Sequence, residues 1–158
     1  SQMARVKKQI IVTTHNVKTD DEKNEKKVLR AAAYCRVSTL LEEQDFSFES
    51  QVTYYKTFIE TNPMLTLVDI YGDHGLSGLR MESRPELQRL IQDCKDGKVD
   101  VIYTKSISRI ARNAAECQKL LDTLHENGVY VIFEKEQIKS NDERLRLVLK
   151  LLASFAQQ

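Results

Sequence analysis

The chain is poor in metal-binding and cross-linking residues. It has three cysteines and three histidines in 158 residues. Cys35, Cys94 and Cys117 are scattered, with no Cys-x-x-Cys pairing. That argues against a disulfide framework or a cysteine-held zinc, and for a reducing, cytoplasmic compartment. His15, His74 and His125 are equally dispersed, which argues against a metal enzyme built on histidine. No apolar run approaches the length that crosses a bilayer, and the first residues lack the pattern of a secretory signal. No internal repeat or low-complexity tract is present.

What is there is one ordinary domain's worth of chain, with 41% hydrophobic residues to build a core. Charge is unevenly placed. Of 24 basic and 23 acidic residues, 8 and 4 fall in residues 1–30, which leaves 16 and 19 for the rest. The body is slightly acidic, whereas a stand-alone DNA binder carries a basic footprint. Residues 1–27 read as a flexible charged leader, broken only by Ile10-Ile11-Val12.

Along the body, apolar runs alternate with amphipathic ones. Strands are predicted over about 28–37, Leu65–Tyr71, Val99–Thr104 and Val129–Glu134. A helix over Phe48–Glu60, capped by Ser47, carries the stripe Val52, Tyr55, Ile59; Gln51 lies off that stripe, where a solvated helix residue is the simpler account. A second starts at Ser83-Arg84-Pro85-Glu86, with Ser83 as cap, and stops at Gly97. A third follows Lys105–Arg109, carries Cys117, Leu120, Leu121 and Leu124, and closes at Asn127-Gly128. The glycines of Gly72-Asp73-His74-Gly75-Leu76-Ser77-Gly78 read as a mobile loop, since their spacing is not that of a nucleotide-binding fingerprint. A polar loop after the fourth strand leads to a last helix starting near Ser140 or Asn141. It is apolar nearly all round, which predicts two partners for it: the body and a second subunit.

This alternation predicts an α/β fold with a mostly parallel sheet of four to five strands flanked by helices. Ligands of such sheets bind outside the carboxyl ends of the strands. That rule gathers Ser38, the 72–84 loop and Lys105–Arg109 on one edge. The first strand carries the run Ala31–Thr39, AAAYCRVST. Residues two apart in a strand share a side, so Arg36 and Ser38 project together. A guanidinium beside a hydroxyl suits a phosphate and a nucleophile. On these residues alone, a turn-capping Ser38 and an ion-paired Arg36 are the simpler account.

The ordered set YCRVST, SFESQ, GDHGLSG with a later SRPEL, and TKSISRIARN resembles the catalytic domain of the serine site-specific recombinases, the resolvase and invertase family. The likeness covers about 30–158. The Tyr34-Cys35 start, Glu42-Glu43-Gln44 and the long span to Arg84 are most similar to the large serine recombinases. The resemblance implies that Ser38 is the nucleophile, and that Arg36, Arg84 and Arg109 surround the scissile phosphate. It places Gln51 beside them and Asp73 as an acidic residue at the site. It implies a phosphoserine link to double-stranded DNA, homodimers that become tetramers on DNA, and no cofactor or metal. It also implies a catalytic domain over 28–140, the start of a long interface helix over 141–158, and DNA-binding domains further along. The chain departs from small resolvases at Lys105-Ser106, where those carry an Asp-Arg pair. Lys105 is then a candidate cation or proton donor. That departure leaves a catalytically idle relative acting in assembly as one alternative. A non-enzymatic flavodoxin-like binding module, with no role for Arg84 or Arg109, is the other.

Overall fold

The computed structural model describes residues 27–37, 48–74 and 83–156. The leader up to residue 26, Ser38, the Leu40–Asp45 loop, Ser47 and residues 75–82 of the glycine-bearing loop lie outside that set. Five strands form one sheet: β1 (Leu29–Val37), β2 (Leu65–His74), β3 (Val101–Thr104), β4 (Tyr130–Phe133) and β5 (Ile138–Lys139). The spatial order is β2-β1-β3-β4-β5. The first four are parallel, and β5 runs antiparallel to β4. The expected mostly parallel α/β sheet is present.

β1 lies between β2 and β3, and this explains its composition. A parallel strand covered on both faces reads as an unbroken apolar run rather than an alternating one. Ala31, Ala32 and Ala33 are fully buried, and Tyr34 and Cys35 nearly so. One face, with Ala31, Ala33, Cys35 and Val101, takes Tyr55 and Ile59 of helix α1 (Phe48–Glu60). The other face, with Ala32, Tyr34, Ile102, Val131 and Phe133, takes the remaining helices among the described residues. These are α2 (Pro85–Lys95), α3 (Ile107–Ile110), α4 (Ala114–Glu126) and α5 (Arg144–Ala156). Gly97 and Gly128 follow α2 and α4 at φ +74° and +73°, the left-handed turn that glycine adopts without a Cβ penalty.

Several expectations are corrected. β2 runs on to His74, so Gly72 and Asp73 are strand residues and not loop. A Cβ at Gly72 would strike the Phe48 ring at the start of α1, so a side chain there would have to displace that ring. The buried stripe of α1 is Gln51, Tyr55 and Ile59, a strict i, i+4, i+8 set, and Val52 sits at its margin. The segment after β3 is two helices, because the chain turns extended at Ala111 and restarts at an Asn113 cap. Asn113 Oδ1 accepts the Glu116 N–H at 2.8 Å. β5 falls where a polar loop was expected, and the last helix starts at Arg144, with Asp142 Oδ1 accepting its N–H.

α5 shows what its all-round apolar surface meets. Leu145 and Leu149 are buried against the body, whereas Leu147, Leu151 and Leu152 are 61%, 52% and 46% exposed. Among the described residues no helix is long and apolar enough to cross a membrane.

Candidate active site

The carboxyl edge of the sheet is built around α3, a single helical turn. Arg36, at the end of β1, donates from Nη2 to the Ser108 carbonyl at 2.8 Å. Arg109 returns the bond, donating from Nη1 to the Arg36 carbonyl at 2.6 Å. Arg84, at the cap of α2, donates from Nη1 to the Ile110 carbonyl at 2.8 Å. Arg36 and Arg84 are thus tied to the carbonyls of one four-residue segment, and Arg109 of that segment is tied back to β1. Arg109 lies in the last turn of α3, not at a helix start, and what the cluster meets is the helix's carbonyls, not its amides. Cations at a helix carboxyl end complement its partial negative charge. At its other end, the Ile107 N–H is taken by Glu136 Oε1 at 3.2 Å, and Ser106 Oγ sits 2.9 Å from Ser108 Oγ. Ser106 is buried, so its place is within the frame of α3.

Arg84 is the most constrained of the three. It is 5% exposed and sits at φ 26°, ψ 63°, in the left-handed region. Such a backbone costs about 1–3 kcal/mol in a non-glycine residue and persists only where its surroundings hold it. Glu116 Oε1 is 4.0 Å from Nη1. Among the described residues, Nε and Nη2 have no hydrogen-bond partner. A buried guanidinium with two unmet donors is a site for an anion.

Asp73 does something the sequence did not suggest. Its Oδ1 accepts the Glu86 N–H at 3.0 Å. Its Oδ2 accepts the Leu87 N–H at 3.1 Å and the Tyr34 hydroxyl at 2.6 Å. The carboxylate therefore caps α2 from the end of β2. The expected Ser83 cap is not the one formed, since Arg84 occupies the cap position with no side-chain bond of its own. Burial, then the bond to Asp73, push the Tyr34 phenol upward, while the charges of Arg84 and Arg36 pull it back. Both guanidiniums thus reach the same buried hydroxyl electrostatically.

Gln51 and Lys105 stand on the α1 side of the edge. They line a cavity of about 170 Å³ with Tyr54, Tyr55 and Glu134. Gln51 is 6% exposed, so it lies on the helix's buried face and not off the stripe. Glu134 was not anticipated. Its Oε2 accepts the Tyr54 hydroxyl at 3.1 Å. Burial, then the Glu134 charge, push the Tyr55 phenol upward. The Cys35 thiol lies between the two groups: burial pushes it up to about 12, Arg109 pulls it down and Glu134 pushes it up. The structure thus brings Arg36, Arg84, Arg109 and Asp73 together, and Gln51 with Lys105. Ser38 follows β1 directly but lies outside the described residues. Among those residues no group of three or more histidine, cysteine or carboxylate side chains is placed to hold a metal ion.

A five-stranded, mostly parallel sheet flanked by helices is the fold of a serine recombinase catalytic domain. The chain belongs to that family: the family model "Resolvase, N terminal domain" matches residues 31–158. Among solved structures, the N-terminal catalytic domain of TP901-1 integrase is 27% identical over 81% of this chain and 94% of that one, with a TM-score of 0.61. A resolvase family site-specific recombinase from Streptococcus pneumoniae is 32% identical over 82% and 88%, with a TM-score of 0.66. The transposon Tn21 resolvase of Escherichia coli is 31% identical over 77 residues, which are 47% of this chain and 40% of that resolvase. The chain therefore matches less than half the length of this curated relative.

Proposed function

We propose that this domain cleaves and rejoins DNA strands in site-specific recombination, with Ser38 as nucleophile. Ser38 Oγ attacks a backbone phosphate, the bond to the leaving strand breaks, and a phosphoserine link preserves the bond energy for rejoining. Arg36, Arg84 and Arg109 stabilise the charge that develops on the phosphate oxygens, the principal demand of phosphoryl transfer. The observation that carries this reading is Arg84, which is buried beside the end of β1 with two guanidinium nitrogens unmet among the described residues. A flavodoxin-like module has no use for such a group. Asp73 supports the cluster by capping α2, which carries Arg84 at its start.

Double-stranded DNA is the substrate, and homodimers paired into tetramers are the working assembly. The exposed Leu147, Leu151 and Leu152 face of α5 supplies the contact between copies. The near-neutral body lacks the basic footprint of tight DNA binding, so site recognition comes from elsewhere in the full-length protein.

The test is a suicide DNA substrate, nicked so that the cleaved strand is lost. The full-length protein should form a covalent adduct, mapped to Ser38 by mass spectrometry. Ser38→Ala should bind the site and form none. Cleavage by that variant would overturn the assignment.

A further inference from the structure

The arginine cluster is built on α3, and α3 is a helix of four residues. So short a helix is not stable alone, because ordering its first turn costs more than its few bonds offset. It has to be held from outside. Ile107 and Ile110 bury their side chains in the core. Apolar burial is non-directional, so it sets the depth of the turn better than its orientation. The cap residue does not orient it either. Ser106 makes no side-chain bond to the amides of α3, and its hydroxyl meets Ser108 Oγ instead.

The directional contact comes from the turn between β4 and β5. That turn is stitched to the segment entering α3. Glu134 N–H donates to the Thr104 carbonyl at 3.1 Å, and Lys135 N–H to the Lys105 carbonyl at 2.7 Å. Glu136 Oε1 then accepts the Ile107 N–H at 3.2 Å, which caps α3 at its amino end. The chain reverses through Gln137 at φ 55° and returns as β5, with Ile138 opposite Phe133. A left-handed backbone in a non-glycine residue persists only where its surroundings hold it. Glu136 Oε2 is buried with no hydrogen-bond partner among the described residues. A buried carboxylate oxygen left unmet is unfavourable, so stability alone does not account for a glutamate here. Asp73 caps α2, which carries Arg84, in the same manner. Each helix of the cluster is thus capped by a carboxylate from another element.

We propose that Glu136 is a positioning residue of the arginine cluster. By capping α3 it sets the direction in which the Ser108 and Ile110 carbonyls meet Arg36 and Arg84, and the reach of Arg109 to the Arg36 carbonyl. The role requires its acceptor oxygen at the Ile107 N–H, and not its charge. The inference rests on the recombinase reading above.

The experiment is single-turnover adduct formation by the full-length protein on the suicide substrate at saturating DNA. Site affinity and the urea midpoint are measured on the same variants. Glu136→Met fills a similar volume without an acceptor oxygen. Its saturated rate should fall by about 10–100-fold, the effect of misplaced catalytic groups, with DNA affinity within about twofold of wild type. Glu136→Gln keeps an oxygen for the Ile107 N–H and loses the charge, so its rate should stay within about threefold of wild type. A merely structural cap would lower the urea midpoint of Glu136→Met and leave the saturated rate of the folded protein unchanged. If Glu136→Met does not fold, Glu136→Asp takes its place. It keeps the charge but is one methylene short of the Ile107 N–H, and it should be slow while Glu136→Gln is not. A wild-type rate in the folded Glu136→Met or Glu136→Asp protein, or a Glu136→Gln rate as slow as theirs, would overturn the proposal and leave the recombinase reading in place. If wild type forms no adduct, that reading fails and this inference goes with it.

Discussion

Asp73 offers the sharpest test of how the site is held. Asp73→Ala removes one carboxylate and leaves three donors without a partner: the Tyr34 hydroxyl and the N–H groups of Glu86 and Leu87. Loss of a helix cap costs about 1 kcal/mol. An orphaned buried hydroxyl costs about 1–3 kcal/mol more. Tyr34 is 1% exposed, so water cannot stand in for the lost acceptor without repacking the core. The sum is about 2–4 kcal/mol, a large share of the roughly 5–15 kcal/mol that stabilises a domain. In urea, with a slope near 2 kcal/mol/M, the midpoint should fall by about 1–2 M. Asp73→Asn keeps one acceptor oxygen, enough for Tyr34 and Leu87, but turns an amide NH₂ toward the Glu86 N–H, so its loss should be about half as great. Tyr34→Phe combined with Asp73→Ala should cost less than the two singly, because the orphaned hydroxyl is gone. An Asp73→Ala midpoint within about 0.3 M of wild type, or strict additivity of the pair, would refute the capping account.

Three further outcomes are expected. Cys35, Cys94 and Cys117 are buried, with thiols pushed up by burial to about 12, 12 and 11, so the native chain should not react with a thiol reagent until urea unfolds it. The bond from Arg30 holds Asp100 below its ordinary range, and the bond from Arg89 does the same for Glu86. A depressed carboxylate contributes stability above its unfolded pKa and loses it as pH falls through the folded value, so urea midpoints should drop on acidification below the ordinary values of 3.8 and 4.5. Arg30→Ala should flatten its share of that drop. Changing Leu147, Leu151 and Leu152 together to serine should abolish concentration-dependent association in sedimentation while keeping the urea midpoint, since all three are exposed. Leu149→Ser should instead unfold the chain, because Leu149 packs into the body.

The sheet was legible because parallel strands buried on both faces leave compact apolar runs, as β1 and β3 do, while the edge strand β2 was legible from its Leu65–Tyr71 run despite exposed Thr66 and Asp69. β5 was not legible: two residues between turns carry no period to read. The break between α3 and α4 was readable and was missed, since Asn113 with Glu116 three residues on is a helix-start pattern. The arginines could be gathered on one edge from topology alone, but their partners could not. A carbonyl acceptor has no letter in the sequence, and Ser108, Arg36 and Ile110 serve here through their backbones. Asp73 was read as a site acid because its motif sits by the site. Its work as a cap appears only when β2 and α2 are packed together. Gln51 was read as off the apolar stripe of α1, because an amide weighs little in a hydrophobic pattern, and it is instead part of the buried stripe with Tyr55 and Ile59. Glu134 carried no sequence signal, since it lies one residue beyond β4 with its partner on α1.

The break in the chain after α3 explains how the cluster can exist. In one continuous helix, the carbonyls of Ser108 and Ile110 would accept the N–H groups of Arg112 and Ala114, four residues on. The extended turn at Ala111 withdraws those donors and leaves the carbonyls open. Arg36 and Arg84 fill them. The choice of partner matters for chemistry. Arg30, Arg89 and Arg144, away from the site, are matched to carboxylates that cancel their charge. A carbonyl orients a guanidinium by one donor and cancels nothing. The carbonyl bonds place the Arg36, Arg84 and Arg109 guanidiniums about α3 without themselves neutralising them, and Glu116 Oε1 stands 4.0 Å from Arg84 Nη1. Ile107 and Ile110 pack α3 into the core, and the Asp73 cap fixes the start of α2, so both anchors of the cluster are held from outside it. A continuous α3–α4 helix would close both carbonyls with its own N–H groups and leave neither for an arginine.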